Sequence, residues 1–92
     1  KHFNTPTQIH FSPVPHSTLT MMELITSDRP GLLSSVGQVL MECQLKVHNA
    51  RIGTFGERAE DIFSISGRDD CGISDTQTLE RLRKALVEAL KK

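Results

Sequence analysis

Apolar positions along the chain follow two periods, and the change from one to the other marks out the elements. Residues 18–26 carry Leu19, Met21, Met22, Leu24 and Ile25 without clean alternation. That pattern predicts a central strand covered on both faces. Leu32, Leu33, Val36, Val39, Leu40 and Cys43 then recur at helical spacing, with Ser34, Ser35, Gln38 and Glu42 opposite. We expect a helix from about Pro30 to Gln44. Gly37 weakens such a helix, so a close helix–sheet contact is its expected reason.

The remaining runs are shorter. Ile9 and Phe11 alternate within residues 8–12, which predicts a short strand stopped by Pro13 and Pro15. Residues 45–55 put Leu45 and Val47 on one parity but Ala50, Ile52 and Thr54 on the other. The phase change near His48-Asn49 predicts a bulge. Residues 55–58 (Phe-Gly-Glu-Arg) read as a hairpin turn. The returning strand is residues 59–67, with Ile62, Phe63 and Ile65, and residues 68–73 form a polar loop. Ser74 and Gln77 have capping-box spacing, and Leu79, Leu82, Ala85, Leu86, Ala89 and Leu90 make the stripe of a second helix. Glu80–Lys84 and Glu88–Lys92 are its expected ion pairs, with Lys91 and Lys92 at the negative end of its dipole.

This order, strand-strand-helix-strand-strand-helix, predicts an α+β sandwich with a four-stranded antiparallel sheet and both helices on one face. The connection over the first helix should be right-handed. The usual βαββαβ arrangement would end in a strand, and here the early strand takes that edge. The expected sheet order is early strand, central strand, Arg58 strand, Val47 strand. Residues 1–8 read as a linker or tail and residues 9–92 as the domain.

Composition narrows the function. Ninety-two residues suit one domain, and a first residue of Lys suggests a piece of a longer protein. Eleven basic and eleven acidic residues balance, which argues against a nucleic-acid or anionic-membrane surface. There is no bilayer-length apolar run and no signal-peptide pattern. Cys43 on an apolar face and Cys71 in a polar loop suit a reducing compartment better than a disulfide framework. His2, His10, His16 and His48 have no metal-ligand spacing, and no catalytic or metal-binding constellation is legible. His48 reads as a strand-surface histidine, Asp69-Asp70 as a solvated loop, Cys43, Met21 and Met22 as packing, and Phe63 as core rather than an RNA-stacking aromatic.

The candidate chemistry sits at the turn Asp28-Arg29-Pro30-Gly31. Pro30 suits a first helical turn, Gly31 lets another group approach the backbone, and free N–H groups at a helix start favour a carboxylate or phosphate. Asp28 either caps the helix, the preferred role, or accepts from a ligand ammonium. The same residues also make a good strand-to-helix turn with no ligand.

Asp28-Arg29-Pro30-Gly31-Leu32-Leu33, with Ala50-Arg51-Ile52, resembles the ACT domains, small regulatory modules of amino-acid metabolic enzymes. The run Gly56-Glu57-Arg58-Ala59-Glu60-Asp61-Ile62-Phe63 is similar to the C-terminal ACT domain of the PII uridylyltransferase/uridylyl-removing family. The resemblance covers roughly residue 18 to the C-terminus and implies a ferredoxin-like ACT sandwich. It implies a cytoplasmic regulatory domain, not itself an enzyme, that senses an amino acid, with glutamine first. Its parent would be a nucleotidyltransferase with a uridylyl-removing hydrolase activity, using Mg and acting on the PII signal protein. The fragment itself would need no cofactor and would contact neither nucleic acid nor membrane. Family ligand sites lie between paired ACT domains, in cis or as a homodimer. Carried over, the site is Asp28, Arg29, Gly31, Leu32 and Leu33, with His48, Asn49 and Ala50 opposite. Asn49 stands where relatives often have Gly, so it either bonds a ligand or tolerates a left-handed bend. The alternative function is an ACT-type dimerisation or docking module that binds no ligand.

Overall fold

The computed structural model describes residues 5–91. Six elements follow in order: β1 (Gln8–Pro13), β2 (Thr20–Ser27), α1 (Leu32–Glu42), β3 (Lys46–Phe55), β4 (Arg58–Ser66) and α2 (Thr76–Ala89). The strands form one four-stranded antiparallel sheet in the order β1-β2-β4-β3. This is the expected ferredoxin-like α+β sandwich, with β1 on the edge that a terminal strand would otherwise take. Met22, Leu24, Phe63 and Ile65 from the sheet share one core with Leu32, Val36, Val39 and Leu40 of α1 and Leu82, Leu86 and Leu90 of α2. Both helices therefore lie on one face. The register Leu24↔Asp61↔Ile52 runs across β2, β4 and β3 and fixes what meets the start of α1.

The bulge falls where the parity breaks: register shifts between Val47 and Asn49. Phe55 pairs with Arg58 across the two-residue turn Gly56-Glu57, where Gly56 takes φ 65. Thr5 N–H donates to Ser27 Oγ at 2.9 Å and Thr7 Oγ1 shares a 2.8 Å bond with Thr26 Oγ1, tying residues 5–7 to β2.

Several local expectations are corrected. β2 is not covered on both faces: Thr20, Met22, Leu24 and Thr26 are buried, whereas Met21 and Ile25 are half-buried and Glu23 is exposed. The helices cover one side only, so the strand alternates. α1 begins at Leu32 and not at Pro30, because Gly31 at φ 77 is left-handed and cannot continue a right-handed helix inward. Its N-cap is Gly31, with no side-chain cap, so Asp28 does not cap it. Gly37 is exposed, and a Cβ there would meet nothing within 4 Å, so no close sheet contact explains it.

α2 is capped by Asp75 rather than Ser74: its carboxylate accepts from Gln77 N–H at 3.1 Å and from Thr78 Oγ1 at 2.8 Å. Glu80 pairs with Arg83 rather than Lys84, and Glu88 with Lys91. Lys92 lies outside the described residues, as do residues 1–4 of the expected tail. Arg83 also donates to the Ile9 carbonyl and lies 5.2 Å from the Phe11 ring centroid, which docks α2 on β1.

Candidate functional site

The β2–α1 turn opens a cleft of about 240 Å³ between the start of α1 and the β3–β4 hairpin. Each wall follows from the local sequence. Ser27 ends β2, and Asp28 N–H donates to the Glu57 carbonyl at 2.8 Å, which pins the turn to the hairpin. Gly31 then swings left-handed, and the first helical bond runs from Ser35 N–H to the Gly31 carbonyl at 2.9 Å. Leu32 N–H is used by the Arg29 carbonyl at 3.3 Å. Among the described residues, no backbone carbonyl accepts from the N–H groups of Gly31, Leu33 and Ser34. No side chain caps them and no acid occupies the first turn of α1. These three residues line the cleft with Asp28, Arg29 and Leu32. The partial positive charge of the helix start therefore faces it.

The opposite wall is Ile52, Thr54, Ala59 and Asp61. Asp61 is the unusual member. It is 1% exposed and lies on the inward face of β4 between apolar Ala59 and Phe63. Its Oδ1 accepts from Gly53 N–H at 3.3 Å, and its Oδ2 is buried without a partner. Burial pushes its carboxyl above the usual range, the Gly53 bond opposes that, and the nearby Asp28 charge adds to the rise.

Five of the eight residues expected from the sequence thus meet in one place: Asp28, Arg29, Gly31, Leu32 and Leu33. His48, Asn49 and Ala50 do not line this cleft. They are exposed on β3, where His48 Nε2 lies 2.7 Å from Ser66 Oγ and Ala50 pairs with Phe63. Ser34, Ile52, Thr54, Ala59 and Asp61 line the cleft without having been expected. Asp61 had a legible cue, since it shares inward parity with Ala59, Phe63 and Ile65.

Other cavities lack this combination. The one of about 350 Å³ beside Leu19, Gly72 and Leu79 is lined by apolar and hydroxyl side chains, and neither it nor the larger one of about 520 Å³ beside Thr5, Asp28 and Lys91 holds a buried unpartnered side-chain group. Among the described residues no group of three or more His, Cys, Asp or Glu could hold a metal ion, and no helix is long and apolar enough to cross a membrane. Cys43 and Cys71 are free thiols. What the cleft offers is recognition: hydrogen-bond donors on one wall, a buried carboxyl on the other, and apolar Leu33 and Ile52 between them.

No family model matches the chain. Relatives do. It is 44% identical over 88 residues, 96% of its length, to the bifunctional uridylyltransferase/uridylyl-removing enzyme of Methylococcus capsulatus. It is 41% identical over 90 residues, 98% of its length, to the enzyme of that name from Pseudomonas putida strain W619, and 48% identical over 90 residues to that from Psychrobacter arcticus. In each case it spans 10% of the relative. Over nearly all of its length the chain is a relative of one domain-sized segment of the bifunctional uridylyltransferase/uridylyl-removing enzymes.

Proposed function

We propose that this chain is the C-terminal ACT-type regulatory domain of a cytoplasmic PII uridylyltransferase/uridylyl-removing enzyme, and that its cleft senses an amino acid, glutamine first. The observation that carries this reading is the uncapped start of α1 opening into a cleft with an acidic far wall. A carboxylate of an amino acid suits the three N–H donors. The domain regulates and does not catalyse. Uridylyl transfer and removal on PII, with Mg, belong to other parts of the parent. His48, Asn49 and Ala50, exposed on β3, complete the site of a paired ACT domain rather than their own.

The test is calorimetric titration of the 92-residue chain with glutamine, with glutamate as control and oligomeric state recorded. The expected result is binding of glutamine and not glutamate. A folded dimer that binds no amino acid overturns the sensing reading. A second reading, a docking module without ligand, is favoured by exposed apolar side chains: Met41 is 71% exposed, Phe55 58% and Ile52 51%. It predicts a dimer whose stability does not respond to any amino acid.

A further inference from the structure

Among the described residues, Asp61 Oδ2 is the one buried side-chain nitrogen or oxygen without a hydrogen-bond partner. Nothing in β4 requires an acid there, because Ala59, Phe63 and Ile65 on the same face are apolar and buried. Leaving such an oxygen bare costs folding free energy, of order 1–3 kcal/mol and more when charged. Asp61 lines the cleft that receives the uncapped start of α1, and Asp28 lines it too.

The two walls of this cleft therefore ask for opposite charges. A simple carboxylate or a phosphate would suit the N–H groups of α1 but would meet the field of Asp61 and Asp28. A bare cation would suit the carboxylates but meet the positive end of the helix. A zwitterion answers both. We propose that, for an amino acid held in this cleft, Asp61 is the residue that receives the ammonium. The carboxylate of the ligand takes the N–H groups of Gly31, Leu33 and Ser34, and its ammonium donates to Asp61 Oδ2. This rests on the cleft being a small-molecule site, and it adds a residue and a chemical requirement to that reading. The ligand side chain points toward open solvent or a partner domain, so Asp61 selects the class of ligand and not its identity.

The experiment is an NMR shift titration of the 92-residue chain with each of the twenty standard L-amino acids, and with the desamino acid of any that binds. For glutamine this is glutaramate, which keeps carboxylate and amide but has hydrogen in place of the ammonium. One charge-assisted hydrogen bond to a buried carboxylate corresponds to about tenfold or more in affinity. The expected result is that an amino acid binds and its desamino acid binds at least about tenfold more weakly. Asp61→Asn should then weaken the amino acid by a similar factor, bind the desamino acid at least as well as the unaltered chain does, and erase the discrimination. Equal binding of both acids to the unaltered chain overturns the role of Asp61 and leaves the sensing reading intact. Undiminished discrimination in a folded Asp61→Asn chain also overturns it. If no amino acid binds the folded dimer, the sensing reading falls and this inference falls with it. The comparison of two ligands on the unaltered chain stands even if the variant does not fold.

Discussion

The two helices of this domain start in opposite ways. α2 is closed by its own chain: Asp75, in an extended conformation, turns its carboxylate onto Gln77 N–H and Thr78 Oγ1. α1 is left open: Gly31 has no side chain to cap with, and the turn before it sends Asp28 to the hairpin through its backbone. Neither helix has an acid in its first turn, so the difference lies in the cap alone. A helix start that its own chain satisfies has nothing to offer a ligand. An open one becomes a candidate only when something else points to a guest, and at α1 that is the bare oxygen of Asp61.

Three glycines separate the mechanical side of this contrast, and Gly72 should matter most. It lies in the approach to α2, where a Cβ would sit 2.0 Å from the Thr18 carbonyl oxygen. The same segment is locked by Ile73 N–H donating to Thr20 Oγ1 at 2.8 Å. Gly72→Ala must move backbone, and overpacking of this kind costs about 1–3 kcal/mol. Urea unfolding should show the midpoint fall by a corresponding amount. A neutral outcome would mean that the closed end of the molecule is slack.

Gly31 fails for another reason. A Cβ there meets nothing within 4 Å, so the cost of Gly31→Val is that of φ 77 itself, about 1–2 kcal/mol. The loss should be smaller than at Gly72, yet amino-acid binding should fall sharply, because a residue that avoids left-handed backbone re-aims the first N–H groups of α1. Retained affinity in a folded Gly31→Val chain would remove the open helix start from the site. Gly37 has neither constraint. It is exposed, right-handed within α1 and clear of neighbours, so Gly37→Ala should stabilise the chain by about 0.5–1 kcal/mol. Destabilisation confined to an oligomer would instead reveal a partner against that helix face.

How far these features could be read from residues alone depended on whether the governing physics was local. The helices and the other strands followed from period 3.6 and period 2, and the bulge from a parity break between Val47 and Ala50, because burial on one face writes itself into spacing; β2 did not, since Met21 and Ile25 blur its alternation. The cap was off by three residues at α1 and by one at α2. Ser74 and Asp75 are both good caps, and only the folded backbone decides which reaches Gln77. Asp28 looks like a cap until Gly31 turns left-handed and moves the helix start away from it. The end of α1 left no glycine to notice: Gln44 takes φ 62, with Leu45 N–H bonded to the Leu40 carbonyl and Gln44 N–H to that of Met41. Asp61 was present within a motif used for resemblance, and its inward parity was legible. That its second oxygen lacks a partner depends on groups far away in sequence, which no spacing encodes.

The subtlest contrast is between the carboxyls at the two helix starts, because they respond to pH in opposite directions. The bonds from Thr78 and Gln77 hold Asp75 below its ordinary 3.8. Its contribution to stability is therefore full above 3.8 and is lost as pH falls through the lower folded value. Burial holds Asp61 above its ordinary 3.8. Its folded form keeps a proton that the unfolded chain has released, so stability falls as pH rises from 3.8 through the raised folded value, and then levels. Denaturant titrations at successive pH values should resolve the two. Asp75→Ala should lower stability at neutral pH and flatten the rise on the acid side. Asp61→Asn should remove the decline above it, and saturating amino acid should do the same to the unaltered chain by giving the buried carboxylate a partner. If Asp61→Asn leaves the pH profile unchanged, burial does not hold the Asp61 carboxyl above its ordinary range. The closed and the open helix start would then differ in geometry but not in charge, and the case for an ammonium at α1 would rest on ligand discrimination alone.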